Sequence, residues 1–200
     1  MTDKQINKRF AQYILDSESR RDSNGNLEVY DLPAGDGGGD YEVAGINQRY
    51  HPKMADQLAT MIDQGMHAEA EVMARNYLFS YTDKVDEWHP DEVVEGFLRS
   101  CAFNRGAGGA AWMLQYALKY AFHPSLYTME RDRKVGKGTR AASKKADPEL
   151  LLPALLTARV VYERTAIPGL KGSRNESSKF WHGLYRRFNN DYVFAMSLRK

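Results

Sequence analysis

The stretch DKQINKRFAQYILDSES, residues 3–19, has the clearest structural pattern in the first part of this chain. Ile6, Phe10, Tyr13 and Ile14 recur every three or four residues, which is the spacing of one face of an α-helix. The stretch therefore predicts an amphipathic helix whose apolar face turns toward a core.

Glu18 stands where this apolar face continues, four residues after Ile14. A buried carboxylate is costly, and proteins usually neutralise or pair such a group. A Gly- and Asp-rich stretch, residues 24–42, follows the helix and carries further carboxylates. A half-buried Glu that faces such a loop is the layout that acid–base hydrolysis of a glycosidic bond needs. The alternative is a Glu18 that simply reaches water at the end of its helix.

Length and composition are typical of a globular protein. The chain has 200 residues, 42% of them hydrophobic and 12% aromatic, which suits one core of moderate size or one domain with a small appendage. No apolar run reaches membrane-spanning length, so we expect no membrane insertion. The first ten residues, MTDKQINKRF, contain no hydrophobic segment of the secretory type, so we expect synthesis in the cytoplasm without a signal peptide.

The net charge of +2 conceals two parts of opposite charge. Residues 1–118 hold 11 Lys or Arg against 19 Asp or Glu, a balance of −8, while residues 119–200 hold 17 against 7, a balance of +10. A basic part of this kind favours an anionic polymer as partner, whether nucleic acid, a membrane surface or bacterial cell wall. The alternative is a dipolar surface that only aids solubility.

The remaining pattern is mainly helical. A short β-hairpin is predicted between Leu27 and Ala44, where apolar residues are flanked by turn residues. Further helices are predicted from Pro52 to Gly65 and at 67–81, 91–102, 108–121, 149–165 and 177–190. The stretch between Phe122 and Pro148 is rich in Lys, Arg and Gly and is the best candidate for a domain boundary.

Residue types that often carry chemistry have structural interpretations here. Cys101 lies on an apolar stripe with Val94, Phe97 and Leu98, so we interpret it as a core residue and not as a nucleophile. The five histidines are scattered and none has the spacing of zinc ligands, so they predict no metal site.

The order of several short motifs resembles that of glycoside hydrolase family 108, the N-acetylmuramidases of phage lysins and secretion-associated muramidases. That family opens with a helix that ends in a catalytic Glu. A glycine-rich hairpin, an Asn-x-Gly helix start with a Leu-Gln pair, a Gly-x-x-Thr element and a peptidoglycan-binding region follow. The similar segments here are, in order, 14–18 (ILDSE), 38–47 (GGDYEVAGIN), 103–106 (FNRG) with 114–115 (LQ), 136–139 (GKGT), and 158–164 (ARVVYER) with 179–187 (KFWHGLYRR). The resemblance spans nearly the whole chain.

This resemblance implies a mainly α-helical, lysozyme-like fold with a small β-hairpin at the active site. It also implies a catalytic domain over residues 1–125 and a basic, helical, peptidoglycan-binding region over residues 126–200. The implied reaction is hydrolysis of the β-1,4 bond between N-acetylmuramic acid and N-acetylglucosamine, with Glu18 as the acid and with neither cofactor nor metal.

Three residues compete for the second catalytic role. Glu42 occupies the hairpin position that faces the catalytic Glu in the resembled family, where a Thr is usual. Asp36 and Asp40 lie among glycines of the same loop, and a Ca²⁺ site is a further interpretation of these carboxylates. A carboxylate about 5 Å from the acid serves a retaining enzyme as nucleophile, and one about 6.5–9.5 Å away activates water in an inverting enzyme. Tyr41 and Asn104 are predicted to line the sugar cleft.

The chain also departs from the family, because the usual Gly-Gly-Tyr after the catalytic Glu reads Ser19-Arg20-Arg21 here. One rival interpretation is therefore a degenerate muramidase that binds cell wall without cutting it. Another is a nucleic-acid-binding protein that uses its basic part, although no nucleic-acid motif supports it. Our main expectation is a monomeric enzyme that acts on peptidoglycan and not on nucleic acid. It would reach the wall through a holin-like pore, a secretion machine or delivery in a virion.

Overall fold

The computed structural model describes residues 3–33, 39–121, 129–167 and 181–199. Its helices are α1 (Asp3–Glu18), α2 (Pro52–Asp63), α3 (His67–Tyr81), α4 (Glu92–Ala121), α5 (Lys137–Lys145), α6 (Pro148–Val161) and α7 (Trp181–Ser197). Strands β1 (Val29–Asp31), β2 (Tyr41–Val43) and β3 (Ile46–Asn47) form an antiparallel sheet in that order. The predicted fold class, mainly α and lysozyme-like with a small β element, is confirmed. No helix in these described ranges is long and apolar enough to cross a membrane.

The contacts within the chain divide it into two compact units. Ala11–Tyr81 form one, called the sheet unit below, and Met1–Phe10 with Thr82–Lys200 form the other, called the helical unit. Helices α4 and α6 lie on opposite sides of the boundary predicted between residues 125 and 126, yet they pack closely together in one unit. The division into a catalytic and a wall-binding region stays a prediction about function.

The core of the sheet unit joins the small sheet to its helices. Val43 in β2 pairs with Val29 in β1 and with Ile46 in β3, so apolar side chains share one face of the sheet. Val43 and Ile46 are fully buried, as are Leu15 of α1 and Leu58 of α2. This face of the sheet therefore forms the apolar core, and the opposite face is left for polar residues.

Strand β3 extends the hairpin that the sequence predicts. Ala44 and Gly45 connect β2 to β3 with φ of +53° and +72°. Two central residues with positive φ form the type I′ turn that suits the right-handed twist of a hairpin. The predicted hairpin, which stops at Ala44, therefore becomes a three-stranded sheet because this turn returns the chain beside β2.

The core of the helical unit forms around α4, which packs against α6 and α7. The backbone of α4 is interrupted at Gly106, where φ is +67° and ψ is 168°. This conformation is open to essentially no residue except glycine. The interruption lies between the two helices predicted at 91–102 and 108–121, and the structure joins them as one kinked element.

Two predictions for the basic part differ from the structure. The stretch predicted as a boundary contains α5, in which Thr139 and Ser143 are buried while Lys144 and Lys145 are exposed. The buried side of α5 consists of small and hydroxylated residues, so it lacks the large apolar residues that reveal a helix in a sequence. Helix α7 continues to Ser197, beyond the end predicted at residue 190. The first part of that prediction, residues 177–180, lies outside the described residues.

Cys101 is fully buried, as its position on the apolar stripe predicts. Burial raises the pKa of its thiol to about 11. Only the thiolate is a strong nucleophile, so this thiol is inert at neutral pH.

Replacing Gly106 by alanine should destabilise the helical unit, because the new Cβ must be held at positive φ. Strain of this kind costs about 1–3 kcal/mol. We expect Gly106→Ala to lower the midpoint of thermal unfolding measured by circular dichroism. Gly183→Ala is the matched control, since Gly183 lies in α7, its Cβ would meet nothing within 4 Å, and alanine favours a helix by about 1 kcal/mol. An unchanged or raised midpoint in Gly106→Ala would contradict the conclusion that only glycine suits this position of the kink.

Candidate active site

Helix α1 ends at Glu18, and this last residue is half-buried. Ile14 and Leu15 on the preceding turn are buried, so Glu18 continues the edge of the apolar face, as the four-residue spacing predicts. Ser19 closes the helix, because its backbone N–H and its hydroxyl both donate to the carbonyl of Leu15, at 2.9 and 2.5 Å. Glu18 therefore lies where a fixed helix end meets the start of a loop.

A short ribbon leads the chain from Glu18 to strand β1. Arg21 and Leu27 form an isolated antiparallel bridge. Next to it, the amide of Glu28 donates to the carbonyl of Arg20 at 3.0 Å. These backbone contacts fix the residues that directly follow Glu18, so the segment after α1 has a defined, hydrogen-bonded conformation.

Asp22 closes the tip of this ribbon. Its carboxylate accepts hydrogen bonds from the backbone amides of Asn24 and Asn26 at 2.9 and 2.8 Å. The hydrogen bond from the Asn26 amide is the main reason that the pKa of Asp22 is lowered. Asp22 is thus an ionised turn residue, with its oxygens engaged by the backbone.

Glu42 lies in the middle of β2, where it is half-buried and stands opposite Tyr30 of β1 and Asn47 of β3. Residues opposite each other on neighbouring strands share one face of a sheet. The guanidinium of Arg20 lies 3.6 Å from the centre of the Tyr30 ring. This stacked pair therefore joins the chain two residues after Glu18 to the cross-strand neighbour of Glu42.

A polar network holds the end of α1 against α3. Arg21 donates to both carboxylate oxygens of Glu71, at 2.9 and 3.0 Å, and to Asp16 at 2.8 Å. Gln12 accepts a hydrogen bond from Arg75 at 3.1 Å. The hydrogen bond from Arg21 lowers the pKa of Glu71, and the same contact raises the pKa of Arg21. Since Arg21 is three residues from Glu18, the network positions the carboxyl end of α1.

Tyr41, predicted to line the cleft, is hydrogen-bonded to a residue of α2. Its hydroxyl donates to Oδ1 of Asp56 at 2.5 Å, and this hydrogen bond is the main reason that its pKa is raised to about 12. Side chains alternate between the two faces along a strand, so Tyr41 and Glu42 lie on opposite faces of β2. The structure therefore does not bring Tyr41 together with Glu42.

Asn104, the other predicted cleft residue, belongs to the helical unit. Its Nδ2 donates to the carbonyl of Ser100 at 3.1 Å, and its Oδ1 accepts from Arg187 at 3.0 Å. These contacts join the kinked region of α4 to α7. Its part in a sugar cleft stays a prediction.

The two Asp alternatives have different positions. Asp36 lies outside the described residues, whereas Asp40 is described and exposed. The backbone carbonyl of Asp40 accepts from the amide of Leu32 at 2.8 Å. Next to it, a Cβ on Gly39 would come within 2.8 Å of the backbone nitrogen of Arg49, so the chain passes too close there for any other residue. Across the described ranges, no three His, Cys, Asp or Glu side chains gather as metal ligands.

The residues that support the site carry weaker sequence signals than the carboxylates. Arg20 and Arg21 are noticeable only as a departure from the resembled family. Tyr30 lies within the predicted hairpin, but its pairing with Glu42 depends on the strand register, which a long loop leaves open. In the sequence Glu71 resembles any charged residue on a helix surface, because its partner, Arg21, is 50 residues away.

Comparison with solved structures finds a similar fold in SagA of Brucella abortus. The two chains share 19% sequence identity and superpose with a TM-score of 0.63 over 97% of this chain and 95% of that chain. At this identity the similarity shows the fold. No family model matches the chain, and no curated protein matches its sequence. Membership of glycoside hydrolase family 108 therefore stays a hypothesis, and a phage endolysin origin has no support in these comparisons.

Glu71 should make the stability of the protein depend on pH. Its folded-state pKa lies below the ordinary value of 4.5, so its ionisation stabilises the fold above that pH, and this contribution is lost as the pH falls through the lowered value. We expect Glu71→Gln to flatten the decline of the thermal unfolding midpoint between about pH 5 and pH 3. Glu69→Gln, which removes an exposed carboxylate of the same helix, should keep the wild-type slope. Equal slopes in wild type and Glu71→Gln would refute this role.

Proposed function

We propose that this protein is a peptidoglycan hydrolase that cleaves the β-1,4 bond between N-acetylmuramic acid and N-acetylglucosamine. The observation that carries the proposal is the placement of Glu18, a half-buried carboxyl at the end of a helix, followed by an ordered ribbon that leads to the sheet holding Glu42. The resemblance of the motifs to the family-108 muramidases supplies the substrate. The fold similarity to SagA covers almost the whole chain and is compatible with this assignment.

Glu18 has the role of general acid in this mechanism. A general acid must begin the reaction protonated and must lie within hydrogen-bond reach of the leaving oxygen. Its half-buried place at the end of α1 suits a carboxyl that donates a proton, and the Arg21–Glu71 network limits the movement of the helix end. Proton transfer to the glycosidic oxygen then accompanies cleavage of the bond to the anomeric carbon.

Glu42 has the second role, acting on the oxocarbenium-like centre either as a nucleophile or through an activated water. A catalytic group must be held to within a fraction of an ångström, so a residue in the central strand of a sheet is better suited than one in an exposed loop. Glu42 meets this requirement through its pairing with Tyr30 and Asn47, whereas Asp40 is exposed.

The departure from the resembled family after Glu18 does not by itself indicate a degenerate enzyme. Arg20 stacks on Tyr30, and Arg21 binds Glu71 and Asp16, so both arginines take defined structural roles. These contacts fix the residues after Glu18 without the Gly-Gly-Tyr segment of the resembled family. The departure is therefore compatible with the catalysis that we propose.

The basic part of the chain suits an anionic wall polymer as partner. Exposed lysines of α5 and the excess of 17 Lys or Arg over 7 Asp or Glu in residues 119–200 provide the attraction. In this proposal the protein needs no cofactor, acts on the wall as a monomer, and reaches it through a holin-like pore or a secretion machine.

Glu18→Gln should abolish wall lysis while leaving the fold intact, because the amide keeps the shape of the side chain and cannot donate the proton. Loss of a general acid typically lowers the rate by about 10²–10⁴-fold. The measurement is the initial rate of clearing of a purified peptidoglycan suspension. Glu28→Gln, which neutralises an exposed carboxylate of the neighbouring ribbon, is the matched control and should retain the wild-type rate. Near wild-type clearing by Glu18→Gln would show that Glu18 is not the acid.

Glu42→Gln should reduce turnover more than Asp40→Asn does, by at least roughly tenfold, which corresponds to about 1.4 kcal/mol of barrier. The reason is that Glu42 is fixed by two neighbouring strands and Asp40 is exposed. Initial rates of both variants on the same peptidoglycan, together with that of Asp36→Asn, decide between the candidates. If either Asp variant is the more damaged, the second catalytic role belongs to the loop.

A further inference from the structure

Three aromatic residues form a ladder along α4 that runs from the core of the helical unit to its surface. Trp112, Tyr116 and Tyr120 are spaced four residues apart, so they lie above one another on the same side of the helix. The Trp112 and Tyr116 rings stack at 5.2 Å with an interplanar angle of 21°, and the Tyr116 and Tyr120 rings lie 4.5 Å apart. Exposure rises along the ladder, from 7% at Trp112 to 52% at Tyr120.

Arg131 lies over this aromatic ladder. Its guanidinium is 5.2 Å from the ring centre of Trp112, 5.7 Å from that of Tyr116 and 6.0 Å from that of Tyr120. Arg131 is exposed, and within the described ranges it forms no ion pair with a carboxylate. An exposed guanidinium in this position can pair with an anionic group of a ligand at the ladder.

Gln115, which is buried within α4, binds the segment that directly follows Arg131, residues 132–134. Its Nε2 donates to Asp132 at 2.7 Å and to the carbonyl of Lys134 at 2.9 Å, and its Oε1 accepts from the amide of Arg133 at 3.2 Å. Arg133 has a φ of +65°, which is uncommon for a residue other than glycine. The buried amide thus fixes a strained segment, and this segment presents Arg131 to the ladder.

Asp132, which directly follows Arg131, adds a charge of opposite sign. Asp132 is exposed, and its hydrogen bond with Gln115 is the main reason that its pKa is lowered. An ionised carboxylate accepts hydrogen bonds from hydroxyl and amide groups. Lys119, whose Nζ lies 5.6 Å from the centre of the Tyr120 ring, adds a second cation, so the surroundings of the ladder combine two cationic donors with the acceptor Asp132 beside Arg131.

We propose that this aromatic ladder, with Arg131 and Asp132, is a subsite for an acidic, N-acetylated saccharide, namely the muramyl residue of peptidoglycan. The choice of ligand rests on the proposed function. A pyranose ring offers an apolar face to the exposed ring of Tyr120 and the half-buried ring of Tyr116. The guanidinium of Arg131 pairs with the lactyl or peptide carboxylate, and Asp132 accepts from hydroxyl or amide groups.

The mixed charge at the ladder favours this ligand over single-stranded nucleic acid. Bases also stack on aromatic side chains, but their binding relies on cationic grooves that follow the phosphate backbone. The Asp132 carboxylate directly follows Arg131 and would repel a phosphate there. For a sugar the same carboxylate is a hydrogen-bond acceptor.

Calorimetric titration of the full-length Glu18→Gln protein with N-acetylmuramyl dipeptide tests the proposal, with chitotetraose as the neutral N-acetylated probe. Added to that background, Tyr120→Ala and Arg131→Ala should each weaken binding of the muramyl probe at least fivefold. Arg131→Ala should weaken binding of chitotetraose less than it weakens binding of the acidic probe. Tyr185→Ala is the matched control, since Tyr185 is 48% exposed on α7, and it should leave both affinities unchanged.

Equal affinity of all variants for the muramyl probe would overturn the proposal. So would binding of a single-stranded oligonucleotide at the ladder without binding of either saccharide. A failure of the proposed function is a different result, namely a wild-type protein that releases no fragments from purified walls. Because the titrations measure binding in a background that needs no catalysis, the two failures are distinguishable.

Discussion

The ion pair between Arg21 and Glu71 is the contact on which the geometry of the candidate active site depends. An isolated exposed pair contributes only about 0–1 kcal/mol to stability. Here, however, Arg21 also donates to Asp16 at 2.8 Å and to the carbonyl of Gly25 at 2.9 Å, so one side chain joins α1, the ribbon and α3. Its importance is positional, because it fixes the helix end that carries Glu18.

The parts of the fold that could be predicted from the sequence are those in which a strong local preference agrees with burial. Helix α1 has large apolar residues at helical spacing, and the kink in α4 falls at a glycine that adopts a conformation closed to other residues. Helix α5 could not be predicted from the sequence, because its buried residues, Thr139 and Ser143, are small and polar. The helical conformation of α5 is stabilised by its packing in the helical unit, since α5 has no face of large apolar residues.

In the candidate site, too, features set by local sequence could be predicted, and features that depend on distant contacts could not. The partial burial of Glu18 follows from its distance of four residues from Ile14, and the structure agrees. The opposite orientations of Tyr41 and Glu42 follow from the alternation of a strand, although both were predicted for one cleft. The stacking of Arg20 on Tyr30 could not be predicted, because it depends on the register across a loop whose length sets no pairing.

The chemistry of the ends that the protein creates in peptidoglycan distinguishes a muramidase from other wall-cleaving enzymes. Purified walls are digested with the wild-type protein, the products are reduced with borohydride, and the fragments are sequenced by mass spectrometry. New fragments that end in muramitol, present with the wild type and absent with Glu18→Gln, are the predicted result. Glucosaminitol or anhydromuramic ends, or no new ends at all, would contradict the assignment of this protein as a muramidase.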